Sequence, residues 1–211
     1  MVRPVYTINA PQAELDVDFD NYKKEIIMLT ELQRAKFIKH FNIRDTDDDG
    51  YVTQEDYRKF SENIAKLLEW DPDHQKRVQI DAIHAGVWQF FWEPADHDQD
   101  GRVSLEDHLA MMDMMIEHSK DPQVLEQSRK HSEVLFNTFD FNGSGEISAK
   151  EYRQFFSAAG VTTEWTDMVF EKLDINGNGK ISLDEFVLLH QQFFSSNDPE
   201  SPGNWFYGPI A

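Results

Sequence analysis

The chain has 211 residues, no cysteine and a formal net charge of -19, from 39 acidic against 20 basic residues. Disulfides, iron–sulfur clusters and thiolate zinc sites are therefore excluded, and the acidity argues against nucleic acid or anionic membrane as partners and for cations. With 40% hydrophobic residues, including 16 Phe and 5 Trp, the chain carries enough apolar surface for a large aromatic core.

Residues 1–10 have no basic segment leading into an apolar run, so no secretory signal is expected. Val2 follows the initiator where myristoylation needs Gly. No apolar stretch has the length of a membrane span, and the expected compartment is the cytoplasm. Residues 1–30 read as an N-terminal extension. Within it Asp16, Asp18 and Asp20 alternate, but no Gly or closing acid follows, so they predict a solvated acidic stretch. Residues 22–29 predict a short helix or the start of the next one. Thr30 with Gln33 reads as a capping box opening a helix.

Four segments then repeat one pattern. Oxygen-bearing residues stand at positions 1, 3 and 5, Gly at 6, Val or Ile at 8 and an acid at 12. In chain order they are Asp45, Asp47, Asp49, Gly50, Val52, Asp56; Asp96, Asp98, Asp100, Gly101, Val103, Asp107; Asp140, Asn142, Ser144, Gly145, Ile147, Glu151; and Asp174, Asn176, Asn178, Gly179, Ile181, Glu185. This is the EF-hand calcium loop. Alternate side chains on a tight loop can all point at one ion, and Gly at position 6 takes a bend that a Cβ opposes. Position 7 offers only its backbone carbonyl, which explains why Tyr51, Arg102, Glu146 and Lys180 differ so widely. Position 9 (Thr53, Ser104, Ser148, Ser182) is expected to act through water. Position 8 predicts short β-bridges, Val52 to Val103 and Ile147 to Ile181.

Apolar residues at helical spacing flank every loop, among them Phe37 and Phe41 before the first and Phe186 and Leu189 after the fourth. Arg44, directly before Asp45, and His40 interrupt the first of these faces and predict looser packing there. Asp121 and Pro122 read as an N-cap and first helical residue, Gly160 as a helix C-terminal residue, and Thr163 as the next N-cap. The expected fold is all-α: four EF-hands in two pairs packed into one compact unit. Residues 31–120 hold loops 45–56 and 96–107, residues 121–195 hold loops 140–151 and 174–185, and an aromatic tail at 196–211 packs back on the core.

The loops fall into two chemical classes. The first two carry four carboxylates among their ligand positions and end in Asp; the last two carry two and end in Glu. Asp is one methylene shorter and favours binding through one oxygen, which moves the coordination number towards six and suits magnesium. Loops 140–151 and 174–185 are thus expected to prefer calcium, with loops 45–56 and 96–107 mixed calcium/magnesium sites. Four calcium ions would bring -19 to -11 and relieve self-repulsion.

The loop starts are 51, 44 and 34 residues apart. The long first interval holds Trp70, Asp71, Pro72 and Asp73 and the aromatic run Trp88 to Trp92. The chain closes on Gly203, Asn204, Trp205, Phe206, Tyr207, Gly208, Pro209 and Ile210. This combination resembles the invertebrate sarcoplasmic calcium-binding proteins and their relative calexcitin. The resemblance covers roughly residues 32–211 and implies two EF-hand pairs packed face to face and a cytosolic buffer of calcium and magnesium. It departs in keeping ligands in all four loops and in residues 1–30.

Two other functions compete. A calcium sensor would expose an apolar surface to a target protein, and Met111, Met112, Met114 and Met115 crowd one helix; core filling is the plainer reading. A luciferin-binding or photoprotein-like member of the same fold would enclose an aromatic ligand, and Trp88, Trp92, His84, His190, Trp205 and Tyr207 could line such a cavity or fill the core. The ending Pro209, Ile210, Ala211 differs from the terminal Pro typical of photoproteins and counts against light emission. No enzyme is expected: the eight His show no zinc-protease spacing, and the glycines around Lys180 belong to the fourth loop rather than a P-loop. The sequon at Asn142 falls on a ligand position and is discounted. Monomer and homodimer both stay open.

Overall fold

The computed structural model describes residues 29–210; the predicted acidic stretch and the reading of residues 22–28 lie outside them. Among the described residues the chain forms eight α-helices: α1 Glu31–Arg44, α2 Gln54–Leu67, α3 Gln75–Val87, α4 Leu105–Glu117, α5 Pro122–Phe139, α6 Ala149–Ala158, α7 Thr166–Leu173 and α8 Leu183–Ser195. Four short strands lie between them: β1 Tyr51–Thr53, β2 Arg102–Ser104, β3 Glu146–Ser148 and β4 Lys180–Ser182. The strands pair antiparallel as β1–β2 and β3–β4, with Val52 opposite Val103 and Ile147 opposite Ile181. This is the EF-hand fold in its paired form.

Local chemistry accounts for most helix ends. The Thr30 hydroxyl accepts from Gln33 N–H while the Gln33 side chain accepts from Thr30 N–H, which closes the expected box and opens α1. Asp121 caps α5 by accepting from Gln123 N–H at 2.8 Å, with Pro122 in the first turn. Gly160 follows α6 at φ +73°. Thr163 is not the next N-cap. The α7 helix starts three residues later, and the Thr163 carbonyl accepts from both the backbone N–H and the hydroxyl of Thr166, which ties residues 163–166 into a turn.

The aromatic run after α3 is not regular helix. Trp88–Trp92 forms a π turn, in which Glu93 N–H donates to the Trp88 carbonyl, and Glu93–Ala95 follows as a 3-10 turn containing Pro94. The wider turn takes up one residue ahead of the proline and turns Trp88, Phe91 and Trp92 all inward.

The predicted looseness of α1 is overturned. Phe37, His40, Phe41 and Arg44 are all buried. The Arg44 guanidinium lies 5.5–5.8 Å from the rings of Tyr57, Phe60, Phe155 and Tyr207, which come from α2, α6 and the tail. It also hydrogen-bonds Tyr207, while its Nε has no partner. Cation–π contact and a tyrosine oxygen replace the carboxylate that a buried cation usually requires. Four buried histidines, His40, His84, His108 and His190, and the half-buried His131 share this interior. His40 Nδ1 lies 3.4 Å from His108 Nε2, Ser61 Oγ bonds His84 Nδ1 at 2.6 Å, and Ser132 Oγ bonds His190 Nδ1 at 2.8 Å. Burial holds the His84 and His108 pKa down to about 3 and His131 to about 4, so the rings are neutral.

The C-terminal residues dock on this core. Phe206 and Tyr207 are buried, and Tyr152 donates its hydroxyl to the Phe206 carbonyl at 3.0 Å. Gln192 Oε1 accepts from Ser201 Oγ and Gly203 N–H, both at 3.1 Å. A Cβ on Gly203 would sit 2.6 Å from the Leu189 carbonyl oxygen, so only glycine permits this approach to α8. Lys36 of α1 reaches the far end of the same helix, donating to the Ser196 carbonyl at 2.6 Å; burial lowers its pKa to about 8.

Candidate metal centres

Each loop is shaped by its first aspartate. Asp45 accepts from Asp49 N–H at 3.1 Å and Gly50 N–H at 2.9 Å. Asp96 does the same with Asp100 and Gly101 at 3.2 and 2.9 Å. Asp140 holds Ser144 and Gly145, both at 2.9 Å, and Asp174 holds Asn178 and Gly179 at 3.0 and 2.7 Å. The carboxylate thus folds the backbone of positions 5 and 6 around itself. The bend places Gly50, Gly101, Gly145 and Gly179 at φ between +81° and +87° with open space where a Cβ would go; conformation rather than crowding demands glycine.

The twelfth residue closes the loop from the other side. Thr53, Ser104, Ser148 and Ser182 at position 9 are the N-caps of α2, α4, α6 and α8, each in a capping box with the acid at position 12. The hydroxyl donates to one carboxylate oxygen at 2.6–2.8 Å in all four. The other oxygen of Asp56 accepts from Thr46 N–H and Oγ1, that of Glu151 from Asn142 N–H, and that of Glu185 from Asn176 N–H and Nδ2. Position 9 thus starts the exit helix and aims the closing acid, a role that the Ser/Thr-x-x-Asp/Glu spacing signals.

Oxygens then converge. The carboxylates of Asp45, Asp47 and Asp49 lie within 4.8 Å of one another, as do those of Asp96, Asp98 and Asp100. In the third loop Ser144 Oγ donates to the Glu146 carbonyl at 2.8 Å, so the position-7 carbonyl faces the position-5 side chain. Oxygen donors alone fit a hard divalent cation and not a thiophilic or imidazole-seeking metal.

Two cations the loop pattern does not announce touch these loop carboxylates. Lys59 of α2 pairs with Asp47. Arg102 donates to Asp100 Oδ2 at 2.6 and 3.0 Å and lies 4.6 Å over the Tyr51 ring. The Asp100 carboxyl is accordingly held below its usual pKa by Arg102, whereas burial raises that of Asp45. Lys59 sits three residues past the closing Asp56, a place for which EF-hand spacing has no rule.

A family model for an EF-hand domain pair matches residues 129–191. A sarcoplasmic calcium-binding protein of Perinereis vancaurica tetradentata is 35% identical over 182 residues, 86% of this chain and 100% of that protein. Clytin of Clytia gregaria is 28% identical over 199 residues, 90% of this chain and 91% of its own. A coelenterazine-binding protein from Renilla muelleri, solved in its calcium-loaded apo form, superposes with a TM-score of 0.70 at 23% identity, covering 86% of this chain and all of that one. None of the described helices is long and apolar enough to cross a membrane. Oxygen-lined loops, strand pairing and full-length similarity agree: this calcium-binding EF-hand chain belongs to the sarcoplasmic calcium-binding protein family.

Proposed function

We propose that the protein is a cytoplasmic buffer of calcium, with magnesium as competitor at its first two loops. Each ion is held by side chains at positions 1, 3, 5 and 12 and the carbonyl of position 7. These are Asp45, Asp47, Asp49, Tyr51 and Asp56; Asp96, Asp98, Asp100, Arg102 and Asp107; Asp140, Asn142, Ser144, Glu146 and Glu151; and Asp174, Asn176, Asn178, Lys180 and Glu185. The observation that carries the buffer reading is that the methionine-rich face points inward. Met111, Met112 and Met114 are buried and Met115 packs against the core, while Phe60 of the first pair meets Phe155 of the second at 5.0 Å. Opening such a helix pair to a target would break contacts between both halves.

The aromatic-ligand reading draws on the relatives and on the partnerless Arg44 Nε and His190 Nε2 in the interior. Against it, the candidate lining residues pack on their own neighbours: Trp92 on His108 at 4.9 Å, His190 on Phe206 at 5.2 Å, Tyr207 on Phe193 at 4.9 Å. Calorimetry with calcium, with and without millimolar magnesium, run beside a neutral apolar dye, tests the buffer. Multiple calcium sites with dye fluorescence flat or falling on loading are expected; a calcium-driven rise in dye binding overturns the reading in favour of a sensor.

A further inference from the structure

A cleft of about 320 Å3 lies between α2 and α3, with Gln54 of loop 45–56 among its lining residues. Its floor is aromatic and buried: Tyr57, His84 and Trp88. The gap exists because small residues face it, Ser61 on α2 and Ala85 on α3. The floor is also rigid. Ser61 Oγ bonds His84 Nδ1 at 2.6 Å, His84 also bonds the Tyr57 backbone, and Trp92 donates to the Tyr57 hydroxyl at 2.6 Å. Trp88 opens the π turn, a local rewinding of helix that recurs at functional sites.

The rim supplies charge. Arg58 is held by Glu55 and Glu62 on α2, and Glu62 lines the cleft with it. Arg77 has only Asp81 at 4.0 Å, the outer limit of an ion pair, and its side chain is 26% exposed. Its guanidinium can turn to a carboxylate at the mouth without breaking a short contact. An aromatic floor, one available guanidinium and a volume within the range of small-molecule pockets define the ligand class.

We infer that this cleft binds a planar aromatic carboxylate, with its rings on Trp88, Tyr57 and His84 and its acid group on Arg77. None of Tyr57, Arg77, His84 and Trp88 is a metal-ligand position, so the inference does not depend on the buffer reading.

Titration with 2-naphthoate at saturating calcium, followed by calorimetry and tryptophan fluorescence, tests it. One saturable site is expected in the full-length protein. Ala85→Leu fills the gap and should weaken naphthoate about tenfold or more with calcium stoichiometry unchanged. Arg77→Gln should weaken naphthoate about tenfold while leaving the neutral 2-naphthamide unaffected. No saturable naphthoate binding, or equal binding by Ala85→Leu, overturns the assignment. Should Ala85→Leu fail to fold, the naphthoate-to-naphthamide ratio in Arg77→Gln decides: an unchanged ratio overturns it.

Discussion

The two halves share a loop geometry and differ in how they reach it. In the first pair, three clustered carboxylates repel one another at positions 1, 3 and 5, and Lys59 and Arg102 lie against Asp47 and Asp100. In the second pair amides and hydroxyls replace most of those charges, and its cation, Lys180, pairs with the Glu146 side chain, leaving the position-5 hydroxyl to meet the Glu146 carbonyl. Position 4 differs as well. Gly143 and Gly177 take its left-handed backbone at φ +71° and +70°, whereas Asp48 and Gln99 adopt φ 58° and 56° with side chains that oppose it. The first pair is therefore the more charged and the more strained of the two. A bound cation should therefore relieve more repulsion in the first pair than in the second.

Four experiments sharpen or break that contrast. The largest effect is acid. His84, His131 and His190 are neutral inside the fold but protonate near 6.5 when unfolded, so the unfolded state binds more protons as pH falls. Their contribution is full above pH 6.5 and is lost as pH falls, down to about 4 for His131 and about 3 for His84, at up to roughly 1.4 kcal/mol per pH unit for each ring. Because they lie where the pairs meet, urea melts in chelator at pH 7 and pH 5 should show one destabilised transition; two separate transitions at pH 5 would mean that the halves are independent.

Next, Glu151→Gln with Glu185→Gln should remove two calcium sites from a calorimetric titration, each weakened on the order of a hundredfold, with the first pair still titrating. If all four sites vanish together, the pairs are not separable. A smaller shift is expected from Asp56→Glu with Asp107→Glu: calcium tightens by about tenfold and magnesium competes less at loops 45–56 and 96–107. Undiminished magnesium competition would remove the selectivity argument. The smallest is Gln99→Gly, which relieves left-handed strain and should raise apo stability by about 1 kcal/mol, more than Asp48→Gly, since aspartate tolerates that conformation better.

The sequence announced the loop geometry more fully than the interior. Position 1, 3, 5 and 12 oxygens, Gly at 6 and the β-bridging Val and Ile are all fixed within twelve residues, so spacing alone places them. Lys59 on Asp47 was not legible, because that contact depends on how α2 leaves its loop. His40 and Arg44 were misread as flaws in an apolar face for a related reason. Their partners, Tyr57, His108, Phe155 and Tyr207, stand far along the chain, and no local pattern records them.

What the sequence determined by itself is what short-range covalent geometry enforces: four oxygen-lined bends, the helix caps at their exits, and the pairing register of the bridges. Tertiary structure alone decided what fills the space between the pairs. A buried guanidinium, four buried neutral imidazoles and the returning tail are stable there only because rings and hydroxyls from distant segments meet around them and replace the water that each has lost.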